Sequence, residues 1–556
     1  MFIDVKEMPE EYAHLRVRLR IEQTRCLHWG QKAGLIEEAL DGPSKILQFN
    51  HNLVLDILHE MQRAFRSCLT ITSKYDQHIS SRNLPEASPM VKRLPAIPAK
   101  SSVLQKVLAI WAQGGRVAER VHWGMLKKGS MEKLITKLIG YNDRIESFLD
   151  RSALEDVRQM QAQSNLLMLQ MTDQIFELRD LVRAMHISRA ADSETGSVYS
   201  QSSTIVAENT DEDNNLISLA KFKAHYLRIE MQPEMNSSLF IPFEGLAFDN
   251  PPRFHGRQRG FRGHQRIWVE WRETADDLIN EPIYLKQLDE RVQELAAILS
   301  TPDKPAAFRA PDCIGYTKIE RDGKPCYALI NVGPQGPDDQ DTDFISLRDL
   351  LGSDRRTPSL NTRVDLASIL VSSVLYLHAV GWIHKDIRSD NVLFMREPDG
   401  AFRLDKPMLA GFEFSRPALN NEEKTGRHTY RPSQALYKHP DLLASDTERS
   451  KKSHDVYSLG IVLAEIAMWE PIEDVARIEV RMRYAMQLQE RLLDFQSGVL
   501  SAIASHSGAK FRGAVRQCLD GSIPAGIQDE EEPGAGVEMA QRLNENVVKQ
   551  LRSISI

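Results

Sequence analysis

Apolar residues recur at helical spacing through almost all of residues 1–187. Over His51–Phe65, Leu53, Leu55, Ile57 and Leu58 stand among polar residues, and Ser102–Val121 and Ser130–Leu149 repeat the pattern. Met160–Met185 carries a broad apolar face (Leu166, Leu167, Leu169, Met171, Ile175, Leu178, Leu181) and is expected as one long helix. Its methionines and leucines predict the core of a helical bundle. Asn83–Lys100 holds four prolines and predicts a surface loop. Residues 188–215 are rich in Ser, Thr and acids and poor in large apolar residues, the composition of a flexible linker. From about residue 238 the pattern becomes mixed. Arg266–Trp271 predicts a strand and Ile283–Leu299 a helix. Cys313–Ile319 and Cys326–Val332 predict two strands joined by a turn at Arg321–Lys324, and Thr362–Val380 a long apolar helix.

Composition narrows the function classes only a little. The chain of 556 residues is long enough for two or three domains, and a net charge of −7 gives no global argument for nucleic acid, so none is expected as a partner. Five cysteines (Cys26, Cys68, Cys313, Cys326, Cys518) form no C-x-x-C pair. This speaks against a disulfide framework or a structural zinc site and fits a reducing, cytoplasmic setting. No run of about eighteen apolar residues occurs, and the acidic N-terminus does not have the form of a secretory signal.

The candidate chemistry lies after the apolar helix. His384-Lys385-Asp386, four residues, then Asn391 has the spacing H-R-D-x-x-x-x-N, with Val392-Leu393-Phe394 following as a short strand. This segment resembles the catalytic loop of eukaryotic protein kinases. The resemblance implies that Asp386 accepts the proton of the attacking hydroxyl and that Asn391 holds magnesium on ATP. Arg388 would neutralise the γ-phosphate. Asp455–Gly460 resembles the D-x-W-S-x-G segment, and Tyr437–Asp441 the end of the A-P-E segment. The D-F-G triplet departs: Phe412 fits its centre, but Gly411 stands where the metal-binding Asp belongs. Glu413, or Asp405, is the displaced carboxylate that could stand in as metal ligand. Magnesium and ATP are therefore expected to bind weakly or not at all.

The small lobe departs further. Val269–Arg272 is read in the V-A-I-K place, making Arg272 the phosphate-binding cation, with Glu294, or else Glu290, as its helix partner. Gly256–Gly263 has glycines without the G-x-G-x-x-G spacing. Arg253, Arg257, Arg259, Arg262 and Arg266, with Phe254 and Phe261, lie in or beside it. Composition favours a solvated, mobile loop there over a surface for nucleic acid or anionic lipid. In the activation segment, Thr425, Thr429 and Tyr430 are candidate phosphorylation sites, with loop hydroxyls of no regulatory role the commoner case.

In the first half, Leu15–Gly30 and Val121–Lys128 each carry a fixed Trp (Trp29, Trp123) ahead of or within amphipathic helix, the second followed by Met131, Leu134, Leu138, Asn142, Ile145 and Leu149. Both resemble the fungal HeLo domain of the prion-inhibition and propagation family. The resemblance implies a helical bundle that self-associates or meets membranes and triggers programmed cell death. No apolar helix is seen ahead of the Leu15 helix, which speaks against membrane permeabilisation. The expected architecture is multidomain: an all-α HeLo-like bundle (1–187), a linker (188–215), and an α+β bilobal protein-kinase-like fold (216–556, small lobe about 238–334, large lobe about 335–556). The expected function is signalling by a pseudokinase, a nucleotide- or protein-binding switch for the helical effector. An active atypical Ser/Thr kinase and a non-enzymatic scaffold are the alternatives. The expected setting is cytoplasmic or membrane-recruited, and the expected partners are proteins, including further copies through the helical domain, with a membrane surface as the alternative.

Overall fold

The computed structural model describes residues 8–35, 50–79, 125–172, 174–194, 203–231, 239–272, 282–302, 304–321, 323–332, 344–351, 357–396, 402–412, 415–417, 430–445, 448–527, 529–530 and 533–554. Two compact units divide the chain at Ala224/His225.

The first unit is all helical: α1 (Met8–Lys32), α2 (His51–Ile79), α3 (Met125–Glu146), α4 (Arg151–Met171), α5 (Ile175–Glu194) and most of α6 (Ser203–Met231). α1 packs on α3, α4 and α5. Its apolar stripe, Leu15, Leu19 and Trp29, meets Val54, Ile57 and Met61 of α2 and Ile135 and Leu138 of α3 in one core. This is the helical period turned into burial. The long helix expected over Met160–Met185 is broken. Thr172 leaves α4 in an extended conformation (φ −101°, ψ 102°), its hydroxyl bonds Met168 O, and α5 begins at Ile175. A threonine hydroxyl bonded to the carbonyl four residues back weakens the helix at that point. The expected linker is helical over 188–194 and 203–215. The expected helix Ser102–Val121 and loop Asn83–Lys100 lie outside the described residues.

The second unit begins with a five-stranded antiparallel sheet in the order β1-β2-β3-β5-β4: β1 (Leu246–Phe248), β2 (Gly256–Arg262), β3 (Gln265–Arg272), β4 (Asp312–Arg321) and β5 (Lys324–Val332). Helix α7 (Pro282–Leu299) packs on β4 and β5. Beyond β6 (Phe344–Ser346) and α8 (Leu347–Leu351) the unit becomes largely helical. α9 (Leu360–Ala379) leads through β7 (Trp382–Ile383) to the His384–Asn391 loop, and β8 (Val392–Met395) pairs with β9 (Met408–Leu409). β10 (Arg416–Pro417) pairs back on β7. α10 (Pro432–Ala435), α11 (Pro440–Ala444), α12 (Lys452–Met468), α13 (Ile472–Ala476), α14 (Met482–Leu493) and α15 (Val499–Leu519) complete the large lobe. α16 (Pro533–Leu543), a π turn (Asn544–Val548) and α17 (Lys549–Arg552) follow. Val547, Val548 and Leu551 are buried and dock the C-terminal helix on this lobe. α9 is long and apolar enough to cross a membrane, yet Leu366, Leu370, Val371 and Val374 place it in the core of the lobe.

One expectation fails here. The basic stretch Gly256–Arg262 is not a solvated loop but strand β2, paired along its length with β3. The turn joining them is at Gly263, whose φ of +59° favours glycine.

Candidate functional site: a catalytic loop with reversed charges

Asp455, at the start of α12, builds the loop. Its buried carboxylate accepts the backbone N–H groups of His384 (2.7 Å) and Lys385 (2.8 Å) and lies 3.1 Å from His378 Nε2. Lys385 is thereby held at φ +70°, a conformation that a non-glycine residue adopts only when its surroundings fix it. Asp386 follows, 3% exposed. Both its oxygens are engaged: Lys438 Nζ donates to Oδ1 (2.8 Å), and Arg388 Nε (2.9 Å) and Asn391 Nδ2 (2.8 Å) donate to Oδ2. Burial alone would raise this carboxyl. The Arg388 and Lys438 charges outweigh burial and hold it well below the usual carboxylate range. The Arg388 guanidinium also reaches Asp390.

The segment beyond β9 rests on the same loop. Ala410 N bonds Asn391 O, and Gly411 turns with φ +89°. A Cβ on Gly411 would stand 2.2 Å from Asn391 Nδ2, so Gly411 is held by two constraints, backbone and space. Phe412 is buried edge-on against His384. Glu413 lies outside the described residues. Asp405, the other carboxylate considered, is paired with Arg403 at the surface.

The sheet supplies the second half. Ile267, Val269 and Trp271 point into the small-lobe core, so Trp268 and Glu270 face the other way, toward the catalytic loop. Glu270 Oε2 accepts Gly411 N (3.2 Å). Its Oε1 accepts Arg257 Nε (2.8 Å) and Nη2 (2.7 Å) from the residue directly opposite on β2. Arg257 then crosses to the loop, Nη1 donating to Asp390 O (2.9 Å) and Nη2 to Asn391 Oδ1 (3.2 Å). Trp268 packs on Leu393 and Ala410. Opposite it on β2, Arg259 lies over the Phe344 ring, 4.5 Å from its centroid.

This placement corrects the small-lobe reading. On β3, Glu270 meets the segment beyond the loop through Gly411 N, which sets a carboxylate beside Gly411 and Asn391 where the sequence reading expected the cation of Arg272. Arg272 lies two residues further along, opposite Tyr327 of β5. Glu294 meets Arg291 of its own helix (3.7 Å) and Glu290 meets Lys286 (3.6 Å). Burial raises the Glu294 carboxyl. The signal was present in the sequence: a hairpin turning at Arg262–Gln265 places Arg257 opposite Glu270 by counting alone.

A buried carboxylate braces the lobe below the loop. Glu465 Oε1 accepts Tyr437 Oη (2.7 Å), Ser389 Oγ (3.2 Å) and Ile472 N (3.1 Å), and burial pushes its carboxyl up to about 8. Among the described residues, His439, Asp441 and His454 bring ligand-type atoms together. Both imidazole Nδ1 atoms, however, accept the backbone N–H bonds of Asp441 and Lys451, which start α11 and α12. They act as caps.

The sheet, the loop and the helical lobe together define a protein-kinase-like domain. Family models agree: residues 342–520 match the protein kinase domain, and residues 1–181 match HeLo, prion-inhibition and propagation. The chain is a HeLo domain joined to a protein-kinase-like domain. It is 26% identical over 231 residues to a RasGEF domain-containing serine/threonine-protein kinase X of Dictyostelium discoideum (41% of this chain, 20% of that protein). It is 32% identical over 100 residues to eukaryotic translation initiation factor 2-alpha kinase 1 of Mus musculus (17% and 16%). A probable LIM domain-containing serine/threonine-protein kinase of Dictyostelium discoideum is 33% identical over 131 residues (23% and 18%). The chain spans a fifth or less of the length of these relatives.

Proposed function

We propose that the protein is a signalling switch in which the kinase-like half transfers no phosphate and regulates the HeLo half through protein contacts. One observation carries this reading. Gly411, with no side chain, stands where a kinase holds its metal-binding Asp, and the carboxylate of Glu270 lies against it where a phosphate-binding cation was expected. A magnesium–nucleotide does not fit residues of this kind. A carboxylate beside Gly411 and Asn391 repels phosphate, and the Arg257 guanidinium already spans the gap to Asn391. A nucleotide whose phosphates reached Asn391 would carry its base toward the layer between the sheet and β8–β9, where Trp268 packs on Leu393. The retained Asp386 and Asn391 serve the loop's own hydrogen bonds. The HeLo half is the effector. Self-association and contact with protein partners, in the cytoplasm or at a membrane surface, are its proposed work.

The test is phosphotransfer by the full chain with ATP and magnesium, to itself and to generic protein substrates, beside Asp386→Asn. Equal, background incorporation is expected. Transfer that disappears in Asp386→Asn would establish the rival reading, an active atypical Ser/Thr kinase.

A further inference from the structure

Around Arg257 stands a set of acceptors of definite chemistry. Glu270 is nearly buried, its side chain 3% exposed; besides the Trp268 indole N–H at 3.4 Å from its Oε1, the acceptors Asp390 O and Asn391 Oδ1 face the same gap. Asn391 is not free to turn, because its Nδ2 is held by Asp386 O and Oδ2, both at 2.8 Å; its oxygen is therefore aimed at the gap. Glu270 is held from behind by Gly411 N. Three acceptors fixed from outside face one point, and the group seated there is planar with donors on all three nitrogens. Arg257 Nε, Nη1 and Nη2 each make a bond, four in all, at 2.7–3.2 Å. Nε and Nη2 converge on the one oxygen Oε1 while Nη1 and Nη2 reach two further acceptors, a planar spread of donors that an ammonium does not offer.

We propose that the degenerate site is a guanidinium pocket, filled in cis by Arg257, and that its ligand class is the arginine side chain rather than a metal–nucleotide. The proposal rests on the functional reading above only for the location of the site. Glu270, Asp390 and Asn391 are the binding residues, and Arg257 is the resident ligand that closes the sheet onto the catalytic loop. With the Arg257 side chain removed, the pocket is left with a buried carboxylate, which selects a cation. The fixed carbonyl oxygens then select the planar fork over a point charge.

Chemical rescue in the full chain tests this. Arg257→Ala vacates the pocket, and its melting temperature is expected to fall below that of Arg259→Ala, which removes a neighbouring arginine from the same strand face. Low-millimolar methylguanidinium should restore several degrees to Arg257→Ala and none to the wild type or to Arg259→Ala. Methylammonium at the same concentration should restore less than half as much. No restoration, or equal restoration by the two cations, overturns the proposal. Should Arg257→Ala fail to fold, Arg257→Lys and Glu270→Gln carry the test. Both are expected to melt below the wild type, and wild-type melting of either overturns the proposal. ATP with magnesium should leave the wild-type melting temperature unchanged; a rise would show that the nucleotide displaces Arg257 and would overturn the assigned ligand class. Phosphotransfer is scored separately, so an active enzyme and an unrescued pocket are distinguishable failures.

Discussion

Each half of this protein buries a network of charges, and the two are built differently. In the helical half, Arg18, Glu22 and Arg25 lie at helical spacing on α1. Arg18 and Arg25 flank Glu22, Asn142 of α3 donates to Glu22 (2.7 Å), and Arg25 meets Glu146 and Asp143. Most of these ions find a partner one helical turn away or on the adjacent helix, and the network holds α1 beside α3. In the kinase-like half, Arg257, Glu270 and Asn391 come from two strands and a loop, with Arg257 and Asn391 separated by 134 residues of chain. That network joins distant segments beside the Asp386–Asn391 loop. The same two residue types thus join neighbouring helices in one half and tie a sheet to a loop in the other.

The contrast can be broken from either side. Glu22→Ala leaves two arginines and Asn142 around an empty, fully buried position. It should cost roughly 3–5 kcal/mol, the usual penalty for breaking a buried pair, read from denaturant unfolding of the full chain. A loss below the range of surface pairs would mean that the α1 network is wet and weak. Gly411→Ala meets both the positive φ and the 2.2 Å approach to Asn391, and should destabilise the kinase-like half by roughly 2–4 kcal/mol. Gly411→Asp should therefore fail to create kinase activity and should melt lower than the wild type.

pH separates the halves with opposite signs. The Glu465 carboxyl, ordinarily near 4.5, is pushed up to about 8 in the fold, so the folded state holds the proton more tightly. Its contribution is present below pH 4.5 and is lost as pH rises toward 8. Hydrogen exchange of α12 amides should speed up across that window beyond the intrinsic rate, and Glu465→Gln should flatten the trend. Burial lowers His28 from an ordinary 6.5 to about 4, with its ring 3.2 Å from Ser164. The folded state binds that proton less well, so its contribution is present above pH 6.5 and is lost as pH falls toward 4. Exchange in α1 should rise on acidification, and an α1 that stays equally protected at both ends of that range would contradict the burial of His28. The smallest effect belongs to the surface. Lys32→Ala removes a pair with Asp156 in which both side chains are a third or more exposed, and should change stability by less than about 1 kcal/mol.

Much of this was legible in the residues. Strand Arg266–Trp271 and helix Ile283–Leu299 match β3 and α7 within a residue, because the two periodicities are strong there. The break at Thr172 was not read, since apolar spacing continues across it while the local hydroxyl–backbone bond does not show in a hydropathy pattern. Gly411 was read directly, because a missing side chain is visible in any register. Arg272 was assigned to the wrong place because Glu270 and Arg272 share one strand face, and two residues along a strand change which of them meets the loop.

The sequence by itself determined the two-part plan, the catalytic-loop frame of Asp386 and Asn391, and the loss of the metal carboxylate. These depend on residue identity and short spacing. Only the tertiary structure decided that Glu270 meets Gly411, that Arg257 crosses from β2 to Asn391, and that Lys438 holds Asp386. Those contacts join groups 52 to 141 residues apart, and which of several nearby charges meets which is set by strand register and by the seating of sheet on loop.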